Sequence, residues 1–115
     1  MAGPPIPAGS LDLIWCESAI YSVGRTVAVT ALRALLATGG LVASSDVVWT
    51  TDDPPAAARA FWAAEYPAMT TPAAIEAEIA AAGFRAMARH AAPRSHWLDY
   101  YAPLRERLDL SLIHI

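Results

Sequence analysis

Cys16, Glu17 and Tyr21 lie a few positions apart in the stretch LDLIWCESAIYSVG, and their side chains are a thiol, a carboxylate and a phenol. A carboxylate can take a proton from a reacting group or accept from a ligand's hydroxyls, and a phenol can wall a small pocket. A thiol attacks only as thiolate; no histidine is near Cys16 in sequence, so it reads as a small buried hydrophobe rather than a nucleophile. Glu17 has two readings that stand side by side: a base or binding group, or a cap for the positive end of the helix that follows.

A second group is aromatic. Trp49, and then Trp62, Glu65 and Tyr66 at helical spacing, can line an acceptor pocket, although large aromatics so spaced more often form core. Arg85, Arg89, His90, Arg94 and His96 form a basic cluster that reads first as a solvated edge and second as a receptor for an anion. His90, His96 and Asp99 do not match a common metal-site spacing, so no metal is expected.

The elements that must position these groups follow from periodicity and breakers. Residues 1–10 hold three prolines and two glycines and read as a loop. The apolar run at about 11–16 reads as a buried strand. Ala28, Leu32, Leu35 and Leu36 line one side of a helix from Arg25 to Ala37, and Gly39-Gly40 is expected to end it. A Val-rich run at about 41–48 reads as a second strand, so strand, helix and strand form a parallel crossover unit.

Asp53 as N-cap and Pro54 at the first helical position open a second helix carrying Ala58, Phe61, Trp62 and Glu65 on one side, ended by Pro67. Thr71 and Pro72 open a third, with Ile75, Ile79 and Ala82 as its stripe and Gly83 at its end. The alternation of FRAMARHA predicts a third strand at about 84–90. The last segment puts Trp97, Tyr100, Tyr101, Leu104 and Leu108 on one helical face, with Pro103 forcing a kink or break.

Composition bounds the function. One α/β domain fits 115 residues, 56% hydrophobic and 17% charged. All eight basic residues are arginine, and a net charge of -3 lacks the electrostatic footprint of a nucleic-acid binder. One cysteine permits no intrachain disulfide, so a cytoplasmic setting is expected. The N-terminus lacks the basic leader and apolar core of a signal peptide, and the most apolar segment, 27–43, is interrupted by Arg33 and Gly39-Gly40; no membrane span is expected.

Several strings, in order, resemble the C-terminal half of a class I S-adenosylmethionine-dependent methyltransferase of the bacterial, small-molecule type. PPIPAGSLDLI stands where that family has LPFxxGSFDLI before its fourth strand, and WCESAIY matches WCEGAIY. LLATGG parallels LLKPGG, and SDVVW parallels SEVSW. DPPAAARAFWAAEYPAM echoes DPPAEARxFWxxEYPAM, and APRSHWLDYYAPL echoes LPxxAWxxxYYxPL. The resemblance covers about residues 1–108; the tail 109–115, ending in LSLIHI, has no counterpart and resembles adapter read-through.

The resemblance implies an incomplete Rossmann-like sheet, with strands at about 11–16, 41–48 and 84–90 and flanking helices. It implies S-adenosyl-L-methionine as cofactor and a small-molecule methyl acceptor. Met1, Ala2, Cys16 and Glu17 would border the cofactor, Glu17 and Tyr21 would do the chemistry, and Trp49, Trp62 and Tyr66 would hold the acceptor.

The departures carry expectations too. Ser18 replaces a glycine, so a position where close approach or an unusual dihedral is expected carries a side chain. The 115 residues contain neither the glycine-rich loop after the family's first strand nor the acid ending its second, so the chain alone is expected to be inactive. Unpaired strand edges invite self-association. The alternative reading is a non-catalytic α/β interaction module, or a truncated product.

Overall fold

The computed structural model describes residues 5–113, with side chains through Asp109. The chain is a small mixed α/β unit: a two-stranded parallel sheet with four helices. In order, β1 is Leu11–Glu17, a 3₁₀ turn spans Ile20–Val23, and α1 is Arg25–Leu35. Then come β2, Leu36–Ser45; α2, Ala56–Glu65; α3, Pro72–Ala81; and α4, Arg94–Ile113.

The predicted crossover unit is present, since β1 and β2 pair in parallel through α1. The helix does not end at Gly39-Gly40, however. α1 stops at Leu35, and Leu36 is already extended (φ -77°, ψ 137°), so β2 begins with no linking residue and ends at Ser45 rather than at 48. The two glycines sit inside β2 and take up an irregularity: Leu11 pairs with Leu36 and Leu13 with Leu41. Gly39 has φ +79°, and a Cβ on Gly40 would lie 2.9 Å from the Ala37 carbonyl oxygen and 3.0 Å from that of Leu11. Only glycine fits the close approach.

α2 starts at Ala56, with Pro55 as its N-cap, not at Asp53; the Asp53 amide instead donates to Thr51 Oγ1 at 3.2 Å in a preceding turn. Its end agrees with the sequence: Tyr66, restricted by Pro67, leaves the helix at φ -145°. α3 has the expected start, Thr71 Oγ1 accepting from the Ala74 amide at 3.3 Å with Pro72 at the first helical position. Its end is a Schellman motif: the Gly83 amide donates to the Ala80 carbonyl and the Phe84 amide to that of Ile79, each at 3.0 Å, with Gly83 at φ +90°.

The predicted third strand at 84–90 is absent. Phe84 is half-buried, residues 85–93 are exposed and without regular structure, and the sheet keeps two strands. Alternation specifies a strand only where a neighbour offers a ladder, and no strand lies beside this segment. α4 is likewise unsupported. Residues 94–109 are all exposed, and the helix runs through Pro103 without a break and on past Leu108.

Among the described residues the buried set is correspondingly small: Ile20, Ala28, Val29, Pro54 and Tyr66, with one buried charge, Arg25. α1 covers one face of the sheet, toward which Ile14, Cys16 and Val42 turn and are half-buried. Strand alternation puts Leu13, Trp15 and Leu41 on the other face, where they are 55%, 69% and 48% exposed.

Candidate functional site

The centre of the molecule is a polar cluster around Arg25, the first residue of α1. Its side chain is 5% exposed. Nη2 donates to Tyr66 Oη at 2.8 Å and to the Ala68 carbonyl at 3.0 Å; Nη1 donates to Glu78 Oε2 at 3.0 Å; and Nε meets Asp46 Oδ2 at 3.4 Å. The Tyr66 hydroxyl in turn donates to Asp46 Oδ2 at 3.0 Å, and Asp46 Oδ1 accepts from the Val47 amide at 2.8 Å. One guanidinium thereby joins the start of α1, the end of β2, the turn after α2, and α3.

The electrostatics follow from that geometry. Burial disfavours a charged guanidinium, but Tyr66, Glu78 and Asp46 outweigh it and raise the Arg25 pKa above its ordinary value. Burial also pushes the Tyr66 phenol up, helped by its hydrogen bond to Asp46 and by that carboxylate's charge. Both groups are held in their protonated forms.

This cluster supports the aromatic residues singled out from the sequence. Trp49, Trp62 and Tyr66 border one small cavity of about 130 Å³, together with Arg59 and Met69. Trp49 is held by its amide, which donates to the Thr70 carbonyl at 2.9 Å. Tyr21, 46% exposed on the 3₁₀ turn, packs its ring 5.2 Å from that of Tyr66 at 47°. Trp49, Trp62 and Tyr66 thus meet at the cavity, and Tyr21 joins them through the ring of Tyr66. Small-molecule pockets run to roughly 300–1,000 Å³, so the cavity alone is too small to hold such a ligand.

Glu17 ends β1, at the carboxyl end of the parallel strands, and is exposed. Its Oε1 accepts from Trp15 Nε1 at 2.6 Å, and Oε2 has no partner among the described residues. It makes no capping hydrogen bond: neither the 3₁₀ turn nor α1 has a side-chain cap bond at its start. Cys16, half-buried opposite Ser44, lies on the α1 side of the sheet, whereas Glu17 lies on the open side, so the two do not converge. Ser18 has φ +48°, the unusual dihedral expected there, and its amide donates to the Ser45 carbonyl at 3.2 Å and to Ser45 Oγ at 3.0 Å. Met1 and Ala2 lie outside the described residues.

Arg25, Asp46 and Glu78 were not singled out from the sequence, although signals exist: an arginine between Gly24 and a Val/Ala-rich helix, and one aspartate in a Val-rich run. The Arg85–His96 cluster does not form a site. It lies on the exposed stretch and at the head of α4, where Arg89 pairs with Glu76 at 3.0 Å. Among the described residues no group of His, Cys, Asp or Glu gathers as metal ligands do, and no helix is long and apolar enough to cross a membrane. No family model matches the chain, and no curated protein matches it.

Proposed function

We propose that the chain is the acceptor-side half of a Rossmann-like, class I S-adenosylmethionine-dependent methyltransferase acting on a small molecule. The observation that carries the reading is positional: β1 ends at Glu17, and the turn that follows sets Tyr21 against Tyr66 at the rim of the Trp49–Trp62 cavity. Ligands of open parallel α/β sheets bind beyond the carboxyl ends of the strands, and the ordered strings of the WCESAIY and DPPAAARAFWAAEYPAM type agree with that placement.

The cofactor, when bound, supplies a methyl on a sulfonium that leaves as a thioether once an acceptor attacks in line. The chain's own residues do the rest. Glu17 Oε2 is available to accept from ribose hydroxyls or to take the acceptor's proton, and the Trp15 indole fixes the carboxylate's orientation through Oε1. Trp49, Trp62 and Tyr66 orient the apolar part of the acceptor, with Tyr21 closing the side toward β1. The cavity is too small for the whole donor, and the 115 residues contain no GxGxG loop, so Glu17 supplies only part of the donor site and the remaining contacts come from other polypeptide.

The test joins these residues to whatever is encoded in frame upstream and follows transfer of labelled methyl from S-adenosylmethionine to a panel of small-molecule acceptors. Transfer is expected, with Glu17→Gln lowering kcat at least tenfold, whereas the 115-residue chain alone should show no micromolar binding of the donor. A longer chain that neither binds nor transfers overturns the reading. An immediate upstream stop codon favours the second reading, a non-catalytic interaction module, which the open sheet face and the bare α4 also support.

A further inference from the structure

We propose that two copies of this chain form a reciprocal dimer in which α4 of each lies across the open face of the β1–β2 sheet of the other. The proposal concerns the 115-residue chain itself and does not rest on the methyltransferase reading.

Two unpartnered apolar surfaces occur on one molecule. Parallel sheets are ordinarily covered on both faces, yet Leu13, Trp15 and Leu41 lie side by side in solvent. On α4, Trp97, Tyr101, Leu104 and Leu108 recur at i, i+4, i+7 and i+11, a single stripe, and are 44% to 58% exposed. Trp97 and Tyr101 stack at 6.0 Å, so the stripe is already ordered for contact. Helical geometry puts Arg94 and Arg105 along one side of it, and the open sheet face ends in the Glu17 carboxylate, so the charges complement.

The amount of bare surface is enough for a stable dimer. A folded chain of 12.2 kDa exposes about 6,000 Å². This one exposes 9037 Å². Its radius of gyration is 17.7 Å, against about 13 Å for a compact domain of this length. The surplus, about 3,000 Å², is more than each chain contributes to an obligate dimer burying roughly 2,000–5,000 Å² in total. The occupant of the sheet is a second copy because α4 does not reach its own: all of 94–109 is exposed, and the exposed irregular segment 85–93 separates α4 from the rest. A twofold axis satisfies both surfaces at once and closes the assembly.

The test is the solution mass of the 115-residue chain, by sedimentation equilibrium across the micromolar range, for the wild type and for Leu13→Lys and Leu104→Glu. Both side chains are more than half exposed, so neither change cuts into the monomer's core, and circular dichroism checks that each variant stays folded. Twice 12.2 kDa is expected for the wild type and once 12.2 kDa for each variant. An equimolar mixture of the two variants should regain the double mass, having one native sheet–helix contact and one Lys–Glu contact. If Leu13→Lys fails to fold, Leu104→Glu and Tyr101→Glu carry the test. A monomer at all concentrations, with α4 folded onto its own sheet or left bare, overturns the proposal. So does a dimer indifferent to Leu104→Glu, which would mean edge-to-edge strand pairing, or a mass that grows without limit.

Discussion

Arg25 and Tyr66, 41 residues apart, share a buried hydrogen bond of 2.8 Å, and the same guanidinium lies 5.9 Å from the centre of the Tyr66 ring. Arg25 thus holds Tyr66 by its hydroxyl and by its π face. Replacing Arg25 with alanine leaves Asp46 without its cation and Tyr66 without its donor. The expected cost is about 3 kcal/mol, the lower end for breaking a buried charged pair, because Glu78 is partly solvated. Urea denaturation should show a lower midpoint at unchanged slope, with Arg25→Lys falling between the two.

Tyr66 gives the chain an alkaline limit. Its folded pKa is raised above the ordinary value of 10.0, so above that value the native state keeps a proton the unfolded chain has lost. The resulting stabilisation is fully present below pH 10.0 and disappears as pH rises through the folded pKa. Unfolding midpoints should fall above pH 10.0 in the wild type, and Tyr66→Phe should flatten that limb while costing about 1 kcal/mol at neutral pH through the lost hydroxyl bonds.

Ser18 is strained. At φ +48° a residue with a Cβ is disfavoured by about 1–2 kcal/mol relative to its usual conformations, and the exposed hydroxyl contact with Ser45 at 3.3 Å offsets little of that. Ser18→Gly should raise the thermal midpoint by a gain of about 0.5–1 kcal/mol, whereas Ser18→Ala, which keeps the strain and loses the hydroxyl, should lower it.

Gly83 is fixed for two reasons. Its φ of +90° is strained for any residue with a Cβ, and an added Cβ would lie 2.6 Å from Arg33 Nε, so that the exposed arginine side chain would have to shift. Gly83→Ala should destabilise by about 1–2 kcal/mol in equilibrium unfolding, and so should alanine at Gly24, whose φ is +88°.

Much of this architecture is legible in the residues. The β1–α1–β2 unit, the Thr71-Pro72 start of α3 and its Gly83 end follow from local chemistry, and the structure has all three. Of the group Trp49, Trp62, Glu65 and Tyr66 read as a pocket lining, all but Glu65 border one cavity. What failed did so where a distant partner decides. Gly39-Gly40 reads as a helix stop, but Gly40 is needed for close approach to Leu11 and Gly39 for its positive φ, which no local pattern announces. Phe84 to His90 alternates like a strand and forms none for want of a neighbour. Arg25 reads as an ordinary helix-start residue because its partners lie 21 to 53 positions away.

The irregularity at Gly39-Gly40 also sets a length. α1 has 11 residues, about 16 Å of helix, and β2 has 10, about 33 Å if straight. While β1 advances from Leu11 to Leu13, β2 advances from Leu36 to Leu41, which removes about 10 Å of reach and leaves a difference that an extended arginine can span from Arg25 to Asp46. The segment is a buckle, with its slack stored in one place. A residue added between 37 and 40 should be absorbed there, whereas one added inside α1 turns Arg25 by about 100° and unfastens it.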